Sequence, residues 1–324
     1  MRCFGCYKEN IEGYCVTCRK KLFDGKKVSH FLTFDTPKEE NLPAYQERTK
    51  RLSISGVQLK YSIKPEGKEL VFTEKGGQYI LKPIPPATLI VLQDQAPENE
   101  HLTMQIASQL FNIPVAENGL ILFKDNAPAY ITRRFDVKPD GTKHLQEDFA
   151  QIIGKTKKAH GDNYKYDGTY EDIGKLIREK VAAYPPVLEA FFKVVVFNYV
   201  FSNGDAHLKN FSLVQTEFGD YTLSKAYDLM CTVLHTPSET DTALDLYQED
   251  MESKFYAKNG YFGRPDFEAL AERMGLLPKR ANGIIDVLLS NQNEVVAMVE
   301  LSYLSMEAKV KFLNFYKDKV RRFS

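Results

Sequence analysis

The stretch FNYVFSNGDAHLKNFSLV, residues 197–214, passes abruptly from apolar to polar. Extended backward it reads VLEAFFKVVVFNYVF, long and apolar enough for a helix buried in a core. Asn203-Gly204 then marks a turn. Asp205 and Asn210, with Lys209 beside them, are therefore expected on a loop held by rigid elements.

Outward from this stretch the chain has two characters. From Ser29 to about Asp136, short β-rich runs dominate, LKYSI, LVF, QYILK and AYITRRF, with turn residues such as Gly76-Gly77 between them. One helix interrupts them. In PENEHLTMQIASQL the apolar Leu102, Ile106 and Leu110 recur at four-residue steps, Pro97 precedes the start and Asn112 follows the end. That spacing predicts a helix packed on a sheet. From about Glu147 onward helical signals prevail: IGKLIREKV, the buried run already quoted, FEALAERM, IIDVLLSNQNEVVAMVE and EAKVKFLNFYKDKV. The polar stretch KTKKAHGDNYKYDGTY, residues 155–170, reads as a mobile surface loop.

The chain has 324 residues, 43% hydrophobic and 27% charged, an ordinary soluble composition with room for two lobes and their cores. Its 43 basic and 43 acidic residues balance, so net charge gives no general pull toward nucleic acid or an anionic membrane. No apolar stretch approaches the roughly 20 residues of a membrane span. The start MRCFGCYKEN offers no signal-peptide core. The expectation is a cytoplasmic protein with no membrane partner and no direct nucleic-acid partner.

Four of the five cysteines, Cys3, Cys6, Cys15 and Cys18, crowd the N-terminus as Cys-x2-Cys-x8-Cys-x2-Cys. Each tight pair can present two thiolates to one side of a metal, which suits a structural zinc site with four protein ligands and no open position. The eight-residue spacer is shorter than in the usual zinc ribbon, and reduced thiols or a disulfide are the other readings. Cys231 stands apart and reads as a small buried hydrophobe.

A small sheet with one helix, followed by a helical lobe, can hold a nucleotide between the lobes. Phosphoryl transfer needs a Lys for the phosphates, a Glu to hold it, oxygen ligands for Mg²⁺ and an Asp beside the attacking hydroxyl. Lys82 ends the strand-like QYILK, and Glu98 and Glu100 lie in the first turns of the following helix, Glu100 being the preferred partner. Taken plainly, these are a solvated strand-end lysine and acids stabilising a helix N-terminus. Asp205 and Asn210 are spaced Asp-x4-Asn, the interval between the hydroxyl-orienting Asp and the Mg²⁺-binding Asn of a kinase catalytic loop. Lys209 is placed to offset phosphate charge. Asp228, in YTLSKAYDLM, falls at the end of a second strand-like run, where the main metal carboxylate belongs. Singly, each of these is also an ordinary polar turn.

In order, LSISGVQLK, YILKP, ENEHLTMQIA, YITRRFD, LQEDFAQIIG, NYVFSNGDAHLKNFSL and AYDLM resemble the HipA family of bacterial serine/threonine kinases, the toxins of toxin–antitoxin pairs. The likeness runs from about Ser53 to Asp228. It implies an α+β, two-lobed protein-kinase-like fold, with a small β-rich N-lobe over residues 25–140 and a larger mainly helical C-lobe over 141–324; the four-cysteine knot over 1–24, read from the cysteine spacing, stands in place of the extra β subdomain of full-length members. It implies ATP and Mg²⁺, with Lys82 on the phosphates, Asp205 orienting the acceptor, Asn210 and Asp228 on the metal, and His207 in the nucleotide set. The backbone around Arg133 to Phe135 would receive the adenine. Gln146, Glu147 and Asp148 match a motif near the active site.

RLSISGVQLK corresponds to the family's phosphate loop. It holds a single glycine, Gly56, and two serines, Ser53 and Ser55, at the positions of the serine whose autophosphorylation switches the kinase off. A phosphate there adds about −1.5 to −2 charges. In its shortness and paired serines the chain is similar to the HipT branch. The resemblance further implies a protein substrate, an aminoacyl-tRNA synthetase in some members, and an antitoxin partner. Besides the N-terminal knot, which is the larger departure, no His-Arg precedes Asp205 and Leu229-Met230 follows Asp228 in place of Phe-Gly, so the chain is not an ordinary eukaryotic-type protein kinase, though the family tolerates both differences. A small-molecule phosphotransferase would share every ATP-site residue, and a non-catalytic zinc-knuckle or pseudokinase binding protein is the rival from another class.

Overall fold

A computed structural model describes residues 1–37, 58–86, 90–138, 140–248 and 253–323. The strands β1 (Tyr61–Glu66), β2 (Glu69–Phe72), β3 (Tyr79–Pro83), β4 (Asn118–Leu122) and β5 (Pro128–Arg133) form one antiparallel sheet in the order β2-β1-β3-β5-β4. Successive side chains of a strand face opposite ways. Tyr79 and Leu81 therefore enter a core with Ile63, Ile121, Ile131, Leu22 and Phe23, while Ile80 and Lys82 face the other side. The first helix, α1 (Val16–Phe23), contributes Leu22 and Phe23 to that core and belongs to the cysteine segment.

The other face of the sheet is covered by α2 (Ala96–Gln109), with Pro97 in its first turn, where a missing N–H costs nothing. Asn112, just past its end, takes φ 51, the left-handed conformation that Asn tolerates. Nearly the whole of α2 is buried, its polar residues included, so one apolar stripe against a sheet does not describe it. The larger lobe also packs on it.

That lobe is built around α6 (Tyr184–Val200). Two prolines open it without loss of hydrogen bonds, and Phe191, Phe192, Val194, Val196 and Phe197 are buried on every side. Before it come the short helices α3 (Phe149–Ile152) and α4 (Lys157–His160) and then α5 (Tyr170–Lys180). After it come α7 (Lys254–Asn259), α8 (Arg264–Met274), α9 (Pro278–Ser290), α10 (Gln292–Leu301) and α11 (Met306–Arg321). A three-stranded antiparallel sheet, β6 (Gln146–Asp148), β7 (Ser212–Gln215) and β8 (Tyr221–Leu223), lies beside them. The architecture is the expected α+β two-lobed fold.

Several elements differ from the sequence reading. IIDVLLSNQNEVVAMVE is two helices, because Asn291 leaves the helical region at φ −90, ψ 40. The polar stretch 155–170 is not a plain loop: it forms α4 and a 3-10 turn at Tyr164–Tyr166, and the side chain of Thr169 caps α5 in a reciprocal box with Asp172. β4 and β7 carry no alternating pattern because both faces are covered. β8 ends at Leu223, so Asp228 sits on the loop beyond the strand rather than at its end.

The cysteine segment is docked on both lobes. Leu120 N–H donates to the Phe4 carbonyl at 2.9 Å, and the Tyr14 hydroxyl donates to the Leu120 carbonyl at 2.5 Å. On the other side the Phe4 and Tyr7 rings pack against Tyr303, whose hydroxyl donates to the Arg2 carbonyl.

A candidate phosphoryl-transfer site between the lobes

Lys82 leaves β3 opposite Tyr130 and is almost fully buried. Its Nζ donates to Glu100 Oε1 at 2.5 Å and also to Asp228 Oδ1. Of the two acids at the start of α2, Glu100 is thus the one that meets Lys82. Burial alone would lower the Lys82 pKa, but Asp228 and Glu100 outweigh it and hold the ammonium charged. Glu100 is pushed up by burial, with Lys82 opposing, and its Oε2 finds no partner among the described residues. One lysine therefore links the N-lobe sheet, α2 and the Asp228 loop.

Asp228 has φ 55, a conformation uncommon for a residue with a side chain. Its carboxylate is 23% exposed and collects Lys82, Lys60 at 3.2 Å and the Asn210 amide at 3.4 Å. Burial opposes ionisation there, yet Lys60 and Lys82 hold this carboxyl well below the usual range. Asn203 fixes the loop by donating to Asn198 Oδ1 at 2.8 Å and to the Asp228 carbonyl at 3.3 Å. The turn after α6 thus ties the two polar loops together.

Asp205 is buried and accepts the Tyr166 O–H at 2.5 Å on Oδ1. Lys82, Glu100, Asn203, Asp205, Asn210 and Asp228 line one small pocket. The Asn210 oxygen accepts the His207 N–H at 3.0 Å. His207 stands edge-on to the Tyr166 ring, and neither of its ring nitrogens has a hydrogen-bond partner among the described residues. Burial, with Lys165 next, pushes its pKa well below the ordinary value, so it is neutral.

A larger cleft of about 250 Å³ adjoins this pocket, lined by Ile80, Ala116, Thr132, Phe135, Gln146 and Tyr227 among others. The Phe135 ring lies 5.8 Å from that of Tyr227. Arg133 borders the cleft, but its guanidinium is drawn away to Asp24 at 2.5 Å and the Lys21 carbonyl at 3.3 Å. Lys209 donates to Asp148 Oδ2 at 2.7 Å, and Asp148 also caps α3. Glu147 is exposed. Ser53, Ser55 and Gly56 lie outside the described residues.

Sequence reasoning missed Lys60, Tyr166 and Tyr227. Lys60 stands in a quoted motif but gives no spacing signal. Tyr166 was hidden in the polar stretch taken for a loop. The Tyr227 hydroxyl bonds Ser212 at 2.6 Å and the Lys209 carbonyl at 2.8 Å, which fixes the backbone of the Asp205 loop.

The four cysteines carry no disulfide, and their sulfurs all lie within 4.8 Å of one another. Tetrahedral zinc with bonds of about 2.3 Å sets sulfurs about 3.8 Å apart, which is the Cys6–Cys15 distance of 3.8 Å. Cys3 Sγ accepts backbone N–H from Gly5 at 3.4 Å and Cys15 at 3.1 Å. The donor set fits a structural zinc ion. Cys231 is buried, as expected of a small hydrophobe.

A family model for the HipA-like C-terminal domain matches residues 52–296. The chain belongs to that family. A Haemophilus influenzae protein named "Putative kinase" is 28% identical over 310 residues, 91% of this chain and 87% of the relative. "Putative kinase Y4dM" of Sinorhizobium fredii is 31% identical over 230 residues, 65% of this chain and 53% of the relative, so this HipA-like chain spans about half of that protein's length. Among solved structures, HipA of Shewanella oneidensis MR-1, in complex with HipB and operator DNA, has a TM-score of 0.65 at 20% identity, covering 83% of this chain and 63% of that one. The Helicobacter pylori proinflammatory kinase CtkA has a TM-score of 0.53 at 15% identity, covering 85% and 94%. Both likenesses concern the fold. The HipA-like chain is a kinase-like enzyme by family, and none of its described helices is long and apolar enough to cross a membrane.

Glu98, beside the Lys82 partner on α2, is pushed by burial from 4.5 to about 8, with Asp94 adding to the rise. A carboxyl whose folded pKa is raised favours the folded state at low pH, and that advantage is lost as pH climbs from about 4.5 toward about 8. Glu98→Gln removes the titration. Its melting temperature is expected to exceed that of wild type more at pH 8 than at pH 5, measured by calorimetry in matched buffers.

Proposed function

We propose that this protein is an ATP- and Mg²⁺-dependent kinase that phosphorylates serine or threonine hydroxyls on a protein. The observation that carries the reading is the single ammonium of Lys82 joining Glu100 and Asp228 in a pocket that Asp205 and Asn210 also line. Carboxylate and amide oxygens are the hard donors Mg²⁺ takes. Asp228 and Asn210 would hold the ion, which when bound neutralises charge on the phosphates. Lys82 would donate to phosphate oxygens, with Glu100 keeping it on station. The cleft wall of Ile80, Ala116 and Phe135 is apolar enough for an adenine. Asp205 would take the hydrogen bond of the acceptor hydroxyl and receive its proton as the hydroxyl oxygen bonds to the γ-phosphorus and the bond from that phosphorus to the bridging oxygen breaks, releasing ADP.

The Tyr166 hydroxyl already donates to Oδ1 of that carboxylate, so an acceptor hydroxyl approaching the same oxygen would compete with it. Self-phosphorylation at Ser53 or Ser55 belongs to this proposal through the family resemblance, as does an aminoacyl-tRNA synthetase as protein substrate. An antitoxin partner is proposed because the Shewanella HipA was solved with HipB. The organisation proposed is a cysteine module over 1–24, an N-lobe over 25–140 and a C-lobe over 141–324, with structural zinc on Cys3, Cys6, Cys15 and Cys18.

Intact mass and phosphopeptide mapping after incubation with ATP and Mg²⁺, alone and with a cell extract, tests the reading. Phosphoserine or phosphothreonine on this chain or on an extract protein is the expected result. A phosphorylated small metabolite with no phosphoprotein would sink it in favour of a small-molecule phosphotransferase.

A further inference from the structure

Three successive residues at the start of α2 reach three different parts of the molecule. Asn99 donates to the Cys231 carbonyl at 2.9 Å and accepts the Cys231 N–H at 3.2 Å, which ties the helix to the C-lobe. Glu100 holds Lys82 of the sheet. His101 turns the opposite way, toward the cysteine module: its Nδ1 accepts the Tyr7 hydroxyl at 2.9 Å and its Nε2 faces the Gly5 carbonyl at 3.4 Å. A carbonyl only accepts, so the ring hydrogen sits on Nε2 and Nδ1 is the acceptor. All three side chains are fully buried or nearly so.

Successive helix residues point about 100° apart, since a turn takes 3.6 of them. The three contacts therefore restrain rotation of α2 about its own axis from three directions. Gly5 connects the third restraint to the cysteines. A Cβ there would stand 2.7 Å from Cys18 Sγ, so the backbone lies directly against the sulfur cluster while its carbonyl faces His101. Gln109 adds a weaker contact at the far end of α2, donating to the Cys6 carbonyl at 3.5 Å.

We propose that metal in the cysteine module positions Glu100: zinc fixes the Gly5–Tyr7 turn, the turn fixes His101, and α2 is thereby held in the rotation that keeps Glu100 on Lys82. Tyr7 and His101 are positioning residues in this scheme. The nucleotide affinity of the cleft then depends on a zinc ion that touches neither ATP nor any residue lining the cleft. The inference rests on both the zinc and the kinase readings above.

The test uses the full chain with zinc content, affinity for ATP·Mg²⁺ and hydrogen exchange of the α2 amides measured together. Cys15→Ser is expected to lose zinc, to bind ATP about tenfold more weakly and to exchange faster in α2. Tyr7→Phe cuts the link while sparing all four sulfurs. It is expected to keep zinc yet bind ATP several-fold more weakly, with faster exchange at the start of α2. Tyr7→Phe with full zinc, wild-type affinity and wild-type exchange overturns the coupling, and it does so even where Cys15→Ser fails to fold. Wild-type protein that binds ATP but holds no zinc overturns the metal's part in it. Wild-type protein that holds zinc but binds no ATP overturns the coupling through the kinase reading instead.

Discussion

Asp205→Asn is expected to slow phosphate transfer by roughly a hundredfold or more, the range for losing a positioned general base, while ATP affinity stays near that of wild type. The reason lies in geometry. Asp205 shares its pocket with Asn210 and Asp228, and its Oδ1 accepts the Tyr166 hydroxyl. The amide can still accept that hydroxyl, so the loop keeps its anchor and the fold is preserved. What disappears is the negative charge that, in the proposed reaction, would receive the acceptor's proton. Tyr166→Phe separates the two functions of this carboxylate: removing the competing hydroxyl should lower the KM for an added acceptor without changing ATP binding. Radiolabel transfer together with equilibrium nucleotide binding distinguishes the cases, and an Asp205→Asn protein with wild-type transfer would remove Asp205 from the chemistry.

Lys82→Met is expected to cost both activity and stability. Glu100 is buried and is ion-paired with Lys82. Breaking a buried pair from one side typically costs about 3–5 kcal/mol, because the remaining charge is uncompensated. The Glu100 carboxyl, already pushed up by burial, would rise further. A raised folded pKa gives stability at low pH that is lost as pH rises, so the melting-temperature deficit of Lys82→Met should be larger at pH 8 than at pH 5.5. Adding Glu100→Leu removes the stranded charge. The double variant is expected to recover much of the stability and none of the ATP affinity, which the single variant should lose by about tenfold or more. Recovery of ATP binding in the double variant would show that Lys82 serves packing alone.

Much of this arrangement was legible in order and spacing. Lys82 at a strand end, an acid 18 residues later near the start of a helix, and Asp205 and Asn210 after an apolar run are local patterns, and the fold brings all of them to one pocket. Glu100 could be preferred over Glu98 but not proved, since both lie at the same helix start and only packing decides which faces Lys82. Lys60 was illegible for a different reason. Its pairing with Asp228 spans 168 positions and has no local signature. Arg133 is the converse case: its backbone borders the cleft, but the side chain points to Asp24, a choice set by the cysteine module. Tyr166 was lost because polar composition resembles a loop whether or not a hydroxyl in it is bonded to a buried carboxylate. β4 was lost because a strand covered on both faces shows no alternation.

The cysteine segment rests on Leu120 of the N-lobe and on Tyr303 of the C-lobe. The segment is therefore a non-covalent strap across the lobes, added to the chain that crosses from β5 to β6 and to the direct contacts of Asn99 with Cys231 and of Lys82 with Asp228. In the proposed kinase, opening of the cleft to release a spent nucleotide would have to strain this strap as well, so the stiffness of the cysteine segment would bear on turnover as much as the bond-making step.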